Sequence, residues 1–163
     1  MEIKAPNNYV GQPRPWIFLA GSIEMGMAEN WQEEIVKACS HLTILNPRRD
    51  DWDSSWQQSI DNTQFREQVE WELQAQEDAD LIVFHFDPKT KSPVTLLEFG
   101  LFRRKAIVHC PDGYWRKGNV DIVCRRYGIP QVGSLDALIG RIFVASRLLL
   151  KLANRDERHH ERS

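Results

Sequence analysis

The chain has 163 residues, 42% of them hydrophobic and 27% charged, which fits one globular domain with enough core to fold unaided. A formal net charge of -2 supplies no basic field for duplex nucleic acid, so small ligands are favoured over a nucleic acid polymer as partners. No run approaches the roughly 20 apolar residues that span a bilayer, and the start has no signal-peptide pattern, which predicts a soluble protein without a membrane partner. The three cysteines have no metal-binding spacing, so we expect reduced thiols, no metal site and a cytoplasmic location.

The first half of the chain alternates strands and helices after an irregular start. "PWIFLAG" predicts a first strand that ends in the turn "GSIEMG", and "LTILNP" predicts a second buried strand that Pro47 stops. Between them, "MAENWQEEIVKACSHL" has helical period and one apolar face, made of Trp31, Ile35, Ala38 and Cys39. Residues 48–62 are polar but carry two tryptophans, which is more typical of a loop that closes over something than of a linker.

The second half continues the alternation. A helical period over residues 63–76 precedes a continuous apolar strand over 81–86, a helix around Glu98 and the strand "AIVHC". A short helix over residues 120–127 and a brief last strand follow. Ser134 is then expected to cap a long helix. The apolar stripe of this helix is predicted to comprise Leu135, Leu138, Ile139, Ile142 and Leu149.

This order of elements predicts the fold class. Strands that alternate with helices indicate an α/β fold, a flavodoxin-like or Rossmann-like three-layer sandwich with a mostly parallel sheet of about five strands. We expect an N-terminal arm over residues 1–14, a single domain over 15–153 and a polar C-terminal tail over 154–163.

The stretch "SPVTLLEFGLF" places one carboxylate, Glu98, inside an apolar run. It follows a strand that is predicted to be buried on both faces, so a helix that begins between Ser92 and Thr95 holds Glu98 near the carboxyl end of that strand. Ligands bind at this edge of open α/β sheets. The helix N-terminus and the two hydroxyls are expected to keep Glu98 ionised at neutral pH. The alternative is a glutamate on the exposed face of an amphipathic helix.

Three segments in order, "FLAGSIEMG", "ADLIVFHFDP" and "SPVTLLEFGLF", resemble the nucleoside 2′-deoxyribosyltransferase family over roughly residues 16–129. The resemblance implies that Glu98, the glutamate of the "ExG" helix, is the nucleophile. It also implies that nucleosides and free nucleobases are the substrates and that no metal or organic cofactor is needed. A carboxylate suits this chemistry, because cleavage of an N-glycosidic bond builds positive charge on the anomeric carbon, which a carboxylate stabilises or traps covalently.

The family pattern contains further acidic positions. The resemblance implies an aspartate six residues before the nucleophile, where this sequence has Ser92, so the contact to the sugar hydroxyl is expected from Ser92, from Asp87 or from neither. Glu72 falls near an acidic position at which the resemblance implies a contact to the base or the sugar, with Glu70 and Gln68 as competing candidates. A second carboxylate there would be useful as the acid that protonates the departing base. A solvated helix face is the alternative for each of these three.

Two short segments are candidates for substrate contacts. The turn after the first strand offers backbone donors and small side chains where a sugar or base must approach closely, and its residues are Ala20, Gly21 and Ser22. The segment after the second strand offers amide and carboxylate groups for base edges and an indole for stacking, and its candidates are Asn46, Asp50 and Trp52. An ordinary turn and a loop anchor are the respective alternatives.

The segment "YWRKGNVDIVCRRYGI" resembles the part of the family fold that contacts the sugar 5′-hydroxyl in the site of a neighbouring subunit. Asn119 is the best match and Asp121 the next. The resemblance therefore implies a homo-oligomer, a dimer or larger, with shared sites. The long C-terminal helix is consistent with a subunit interface, or it covers the sheet. His85 and His109 are expected to be core histidines.

Three functions fit these residues. The leading hypothesis is a transferase that moves 2-deoxyribose between nucleobases through a deoxyribosyl-Glu98 intermediate. The second is a nucleoside or nucleotide N-glycosidase that uses the same glutamate with water as acceptor, and a phosphate held by Arg48, Arg49 or Ser22 favours nucleotides. The third is a non-catalytic nucleotide-sensing module, which the missing aspartate suggests.

Overall fold

The centre of the molecule is a parallel sheet. The computed structural model describes residues 1–21 and 30–160, with the backbone alone at positions 154 and 156–160. The strands are, in chain order, β1 (Glu2–Lys4), β2 (Trp16–Gly21), β3 (Thr43–Asn46), β4 (Leu81–His85), β5 (Ala106–His109) and β6 (Gln131–Val132). Their order across the sheet is β1-β3-β2-β4-β5-β6, with every pair parallel. Without β1 this is the flavodoxin-like order, which confirms the predicted fold class.

Helices cover both faces of the sheet. They are α1 (Trp31–Ala38), α2 (Thr63–Asp78), α3 (Pro93–Phe102), α4 (Lys117–Tyr127) and α5 (Leu135–His160). Buried residues of α2, α3 and α4 pack on one face of the sheet, and those of α1 and α5 pack on the other. The molecule therefore has the three layers that the sequence predicts.

The alternation of side chains along each strand explains the continuous apolar runs. In β2, Ile17 and Leu19 face α1 and α5, whereas Phe18 faces the other helices. In β4, Val83 and Phe84 divide in the same way. Successive side chains of a strand point to opposite faces, so a strand between two helical layers is apolar at every position.

The start of the chain differs from the predicted arm. Residues Glu2–Lys4 form the edge strand β1, in which Ile3 pairs with Leu45, so the sheet has six strands rather than about five. Tyr9 is buried against Trp16, with ring centroids 5.2 Å apart. A strand of three residues with charged ends carries no period that sequence analysis could detect.

The two helices on the α1 and α5 face differ from prediction at their ends. Ala38 is exposed at the end of α1, whereas Ile35 of the same predicted stripe is fully buried. The backbone N–H of Ala137 donates to the Ser134 hydroxyl (3.3 Å) at the start of α5, and the helix continues to His160, into the segment expected as a polar tail. Within the described ranges no helix is long and apolar enough to cross a bilayer.

Candidate active site

The carboxyl ends of β2, β3 and β4 meet at one edge of the sheet. The chain leaves β2 towards β3 on one side and reaches β4 on the other, which makes the β2–β4 boundary the topological switch point. In open α/β sheets a crevice for ligands forms at this place. Gly21, Asn46 and His85 are the last residues of the three strands.

Helix α3 turns its carboxylate inward and its aliphatic side chains outward. Glu98 is only 8% exposed, and its neighbour Phe99 packs on Phe84 of the sheet at a centroid distance of 5.3 Å. The exposed residues of the same helix are Val94 (60%), Leu97 (65%) and Leu101 (59%). This arrangement lowers the stability of the fold, because it buries a carboxyl and leaves three aliphatic side chains in solvent. A carboxyl buried at such a cost is typically one that functions in a binding or catalytic site.

Helix α2 supplies the polar partners of Glu98 from one of its faces. Gln76 Nε2 donates a hydrogen bond of 2.8 Å to Glu98 Oε1. About two turns earlier, Gln68 Nε2 donates to Glu72 Oε1 (2.7 Å) and to the backbone oxygen of Pro47 (2.8 Å). Residues spaced by four lie on one helical face, so Gln68, Glu72 and Gln76 form a row beside α3.

The candidates on α2 for the second acidic position differ in their surroundings. Glu70 is exposed and lies 3.8 Å from Arg66, away from the row. Gln76, which the sequence analysis did not single out, is fully buried and is the residue that contacts Glu98. The signal that could have found it is its spacing of four from Glu72.

The two carboxyls share one electrostatic environment. Burial raises the pKa of Glu98 to about 7, and the hydrogen bond from Gln76 opposes that rise. The expectation that the helix N-terminus and the hydroxyls of Ser92 and Thr95 keep Glu98 ionised is therefore wrong, because burial outweighs them and the Ser92 hydroxyl pairs with Thr90 instead. Burial and, next, the negative charge of Glu98 raise the pKa of Glu72 to about 8, and the bond from Gln68 opposes it. Both pKa values are therefore raised towards neutral pH, and the charge of Glu98 raises that of Glu72 further, so Glu98 is the group that ionises first and Glu72 is the group that keeps its proton.

The loop between β4 and α3 holds the two candidates for the sugar contact. Asp87 is buried, and its Oδ1 accepts a hydrogen bond of 2.8 Å from the backbone of Lys89. The hydroxyls of Thr90 and Ser92 lie 2.6 Å apart. Ser92 has a left-handed backbone (φ 48°) that is uncommon for a residue other than glycine, and it immediately precedes α3. These contacts brace the loop that presents Glu98.

The end of β2 has no room for a side chain. A Cβ atom at Gly21 would lie 2.8 Å from Cζ2 of Trp31 and 3.0 Å from the backbone oxygen of His85. Ala20 is buried in the core, so it offers its backbone rather than its side chain to this edge. The third residue predicted here, Ser22, lies outside the described residues.

Two buried histidines meet beside this turn. His85 and His109 are paired in register at the ends of β4 and β5, and their Nδ1 atoms lie 2.8 Å apart. The ring of Trp31 stacks on His85 at a centroid distance of 4.6 Å. Burial lowers the pKa of His85 to about 4, with a smaller contribution from His109, and burial also lowers the pKa of His109. Both rings are therefore neutral at neutral pH.

Asn46 and Asp50, two of the candidates for base recognition, make contacts away from Glu98. Asn46 Nδ2 donates to Glu2 Oε1 (2.7 Å), and its Oδ1 accepts from the backbone of Arg48 (3.0 Å), so both ends of this amide are engaged. Asp50 is exposed and pairs with Lys4. These two candidates contact β1 and its surroundings, not Glu98.

The indole of Trp52 differs from these two candidates. Its ring lies against Trp56 at a centroid distance of 5.1 Å. Its buried Nε1 has no hydrogen-bond partner among the described residues. A donor without a partner is available to a ligand.

The two candidates of α4 stand apart from the Glu98 row. Asn119 is exposed. Asp121 accepts from Lys117 Nζ (2.9 Å) and from Gln131 Nε2, at the wall of a cavity of about 350 Å³ between α4 and the ends of β5 and β6. Neither has a described contact with Glu98 or Glu72 in its own chain.

Several buried polar atoms of α1, of α2 and of the segment after β3 have no hydrogen-bond partner among the described residues. They are Trp31 Nε1, Gln32 Nε2, Trp52 Nε1, Gln68 Oε1 and Gln76 Oε1. Buried polar groups are normally paired, so such a group of donors and acceptors suits the binding of a polar ligand. In the part of the chain that is described, no three His, Cys, Asp or Glu side chains are placed to hold a metal.

Comparison with known proteins gives one family. A family model described as nucleoside 2-deoxyribosyltransferase like matches residues 14–114, more than half of the chain. The match begins just before β2 and extends past β5, so it includes the row on α2 and Glu98 on α3. No curated protein gives a significant match to the sequence.

Proposed function

Because the chain belongs to the nucleoside 2-deoxyribosyltransferase-like family, we propose that it is a transferase that moves 2-deoxyribose from one nucleobase to another, with Glu98 as nucleophile. The observation that carries the proposal is the buried Glu98, which accepts a hydrogen bond from Gln76 and lies in the electrostatic field of Glu72. A carboxylate and a carboxylic acid in one environment are the two groups that glycosyl transfer requires.

The first half-reaction uses the two carboxyls in different protonation states. A carboxylate oxygen of Glu98 forms a bond to the anomeric carbon while the bond from that carbon to the base nitrogen breaks. The electron pair of the broken bond goes to the base, which takes the proton of Glu72. The raised pKa of Glu72 supports its role as the acid, since it stays protonated at pH 7.

The second half-reaction reverses these roles with another base. The incoming base attacks the anomeric carbon, the bond to Glu98 breaks, and the carboxylate of Glu98 is restored. The incoming base gives its proton to Glu72, which is by then ionised. Two displacements at one carbon retain its configuration.

Other residues are proposed to bind the substrate around this pair. Trp52 is proposed to stack on the base, and the backbone at Gly21 to allow its close approach. Asp87 and Ser92 stay alternative partners for the sugar hydroxyl. Asn119 is proposed to reach the site of a second copy of the chain, since it is exposed and has no described contact with Glu98.

A nucleotide N-glycosidase is the second candidate, and Arg48 is the observation that favours it. Its Nη1 donates to two neutral amides, those of Asn30 (2.9 Å) and Gln32 (3.4 Å), near the switch point. A guanidinium held by neutral groups keeps its charge available to a phosphate. In this version water replaces the second base.

Two parallel incubations distinguish these functions. The protein is mixed with cytosine and either deoxyadenosine or its 5′-phosphate, and the products are separated by liquid chromatography. We expect adenine and deoxycytidine in equal amounts. Adenine with free deoxyribose, or turnover only of the 5′-phosphate, would support the glycosidase. Absence of base release from either substrate contradicts both enzymatic functions and leaves the nucleotide-sensing module.

A further inference from the structure

We propose that Gln68 and Gln76 are positioning residues that direct the shared proton of the carboxyl pair, Gln76 by holding Glu98 as the anion and Gln68 by fixing which oxygen of Glu72 carries the proton. This proposal rests on the proposed function, because it concerns the same two carboxyls. It adds two roles that neither the family match nor the sequence pattern assigns.

Gln76 has one orientation that suits a charged Glu98. Its side chain is fully buried, and Nε2 lies 2.8 Å from Glu98 Oε1. A flipped amide would place its carbonyl oxygen against the carboxylate, where no hydrogen is available for a bond. The donor therefore faces Oε1, which leaves the other oxygen of Glu98 free to attack the anomeric carbon.

Gln68 is fixed more firmly, because both hydrogens of its amide nitrogen are used. One hydrogen goes to the backbone oxygen of Pro47 (2.8 Å) and the other to Glu72 Oε1 (2.7 Å). The bond to Pro47 anchors the amide to the chain that follows β3. Because Glu72 Oε1 accepts a hydrogen bond, the proton of the neutral carboxyl belongs on Oε2.

Few other ionisable groups compete for this proton. α3 contacts β2, β4 and the turn Arg103–Lys105 that follows it, and Gln76 joins it to α2. β2 has no ionisable side chain. In the turn, Arg103 and Lys105 donate to backbone oxygens and Arg104 is exposed. At its carboxyl end β4 presents His85, which is neutral at pH 7, and Asp87 follows, bound to the backbone of Lys89. Among the residues that the structure describes, the pair is therefore governed mainly by the two carboxyls and by the two amides that contact them.

The test measures the titration of each carboxyl directly. Glutamate labelled with carbon-13 at its carboxyl is incorporated, and the Glu72 and Glu98 signals are assigned by their loss in Glu72→Gln and Glu98→Gln. For Gln76→Met we expect the pKa of Glu98 to rise by about one unit, because a buried anion loses a charge-assisted hydrogen bond. For Gln68→Met we expect a rise in the pKa of Glu72. Gln74→Met, at an exposed glutamine of the same helix, is the control and should move neither.

The pH profile of turnover gives a second readout. In Gln76→Met the acid limb of kcat should move up by about one pH unit, so kcat falls about tenfold at low pH and recovers at high pH. In Gln68→Met the alkaline limb should move up instead. If a Met variant does not fold, Gln76→Asn or Gln68→Asn remains polar but is one methylene too short, and the same shifts are expected.

The experiments distinguish a failure of the positioning roles from a failure of the proposed transferase function. The titrations do not need turnover, so a protein without transfer activity can still show the expected shifts. Unshifted titrations in both variants would overturn the positioning roles even if transfer is intact. Loss of activity with unshifted titrations would likewise overturn them, since it indicates a structural role only.

Discussion

At the scale of single residues, Glu98 shows how far a sequence can lead. The order of motifs and the "ExG" segment identify this glutamate, but the hydropathy of α3 does not predict its orientation. A period-based reading would bury Val94, Leu97 and Leu101, and all three are exposed while Glu98 is buried. Gln76 was missed for a related reason, because its spacing of four from Glu72 becomes informative only when the face of α2 that meets α3 is known.

Replacement of Glu98 by glutamine tests the nucleophile. The amide has the same shape but cannot form the covalent ester, so transfer should fall by several orders of magnitude. The variant should fold normally, because it loses a buried carboxyl and not an apolar contact. Rates from product chromatography and melting curves check both statements. Glu70→Gln, at an exposed glutamate of α2, is the control, and near-normal transfer by Glu98→Gln would remove Glu98 from the mechanism.

Replacement of Glu72 by glutamine tests the cost of its burial. The pKa of Glu72 is raised to about 8 in the folded protein, so the folded state binds more protons than the unfolded state from about pH 4.5 to 8. The contribution of Glu72 to the free energy of unfolding is therefore most favourable below about pH 4.5 and is lost as the pH rises to 8. At pH 9 the free energy of unfolding of Glu72→Gln should exceed that of wild type by on the order of 3 kcal/mol. This figure is reduced from the full effect of the pKa shift because the carboxyl is partly exposed and water screens its charge.

Urea unfolding at pH 5 and at pH 9 measures this difference. Little relative gain is expected at pH 5, where wild-type Glu72 is protonated and resembles the amide. Glu70→Gln should show no such dependence. An equal gain at both pH values contradicts the raised pKa.

At the scale of elements, strands between helices were predictable and short edge elements were not. The runs that became β2, β3, β4 and β5 are apolar at every position because both of their faces are covered. β1 has only three residues and depends on pairing with β3 for its identity. The contact between His85 and His109 likewise needs the register of β4 with β5, which is a property of two elements together.

Replacement of His85 tests that contact through pH. Burial lowers the pKa of His85 to about 4 in the folded protein, so below pH 6.5 the unfolded chain binds a proton that the folded chain does not. The contribution of His85 to the free energy of unfolding of the wild type is therefore greatest above pH 6.5. It decreases by roughly 3 kcal/mol as the pH falls to 4.

The variant His85→Asn should lose stability overall but should also lose this part of the pH dependence. Urea unfolding between pH 4 and 7.5 provides the measurement, with His41→Asn, at an exposed histidine, as control. The idea fails if His85→Asn and wild type have the same slope of stability against pH over this range.

At the scale of the whole molecule, the outer face of α3 is an exposed apolar stripe that the homo-oligomer implied by the family resemblance would cover. Val94, Leu97 and Leu101 are spaced by about one helical turn and are exposed, directly behind the face that holds Glu98. The same stripe on a second copy would be self-complementary, as a two-fold interface requires. A net charge of only -2 opposes such an association weakly.

The shared site that we propose can be tested by mixing inactive variants. In a dimer whose sites each take Glu98 from one chain and Asn119 from the other, the homodimers of Glu98→Ala and of Asn119→Ala are both impaired. A mixed dimer places both lesions in one site and leaves the other site intact. Exchange of subunits between the two variants should therefore restore up to about half of the wild-type activity per mixed dimer.

The matched control for this mixture is Glu98→Ala with Glu72→Gln. Glu72 and Glu98 interact electrostatically within one chain, so every site of that mixed dimer carries a lesion and its activity should stay low. Native mass spectrometry must show mixed dimers in both experiments. If Asn119 serves its own chain, the first mixture also has one lesion in each site and gains nothing over its homodimers. Inactivity of a proven mixed dimer would therefore reject the shared site, while the assignment of Glu98 rests on its own variant.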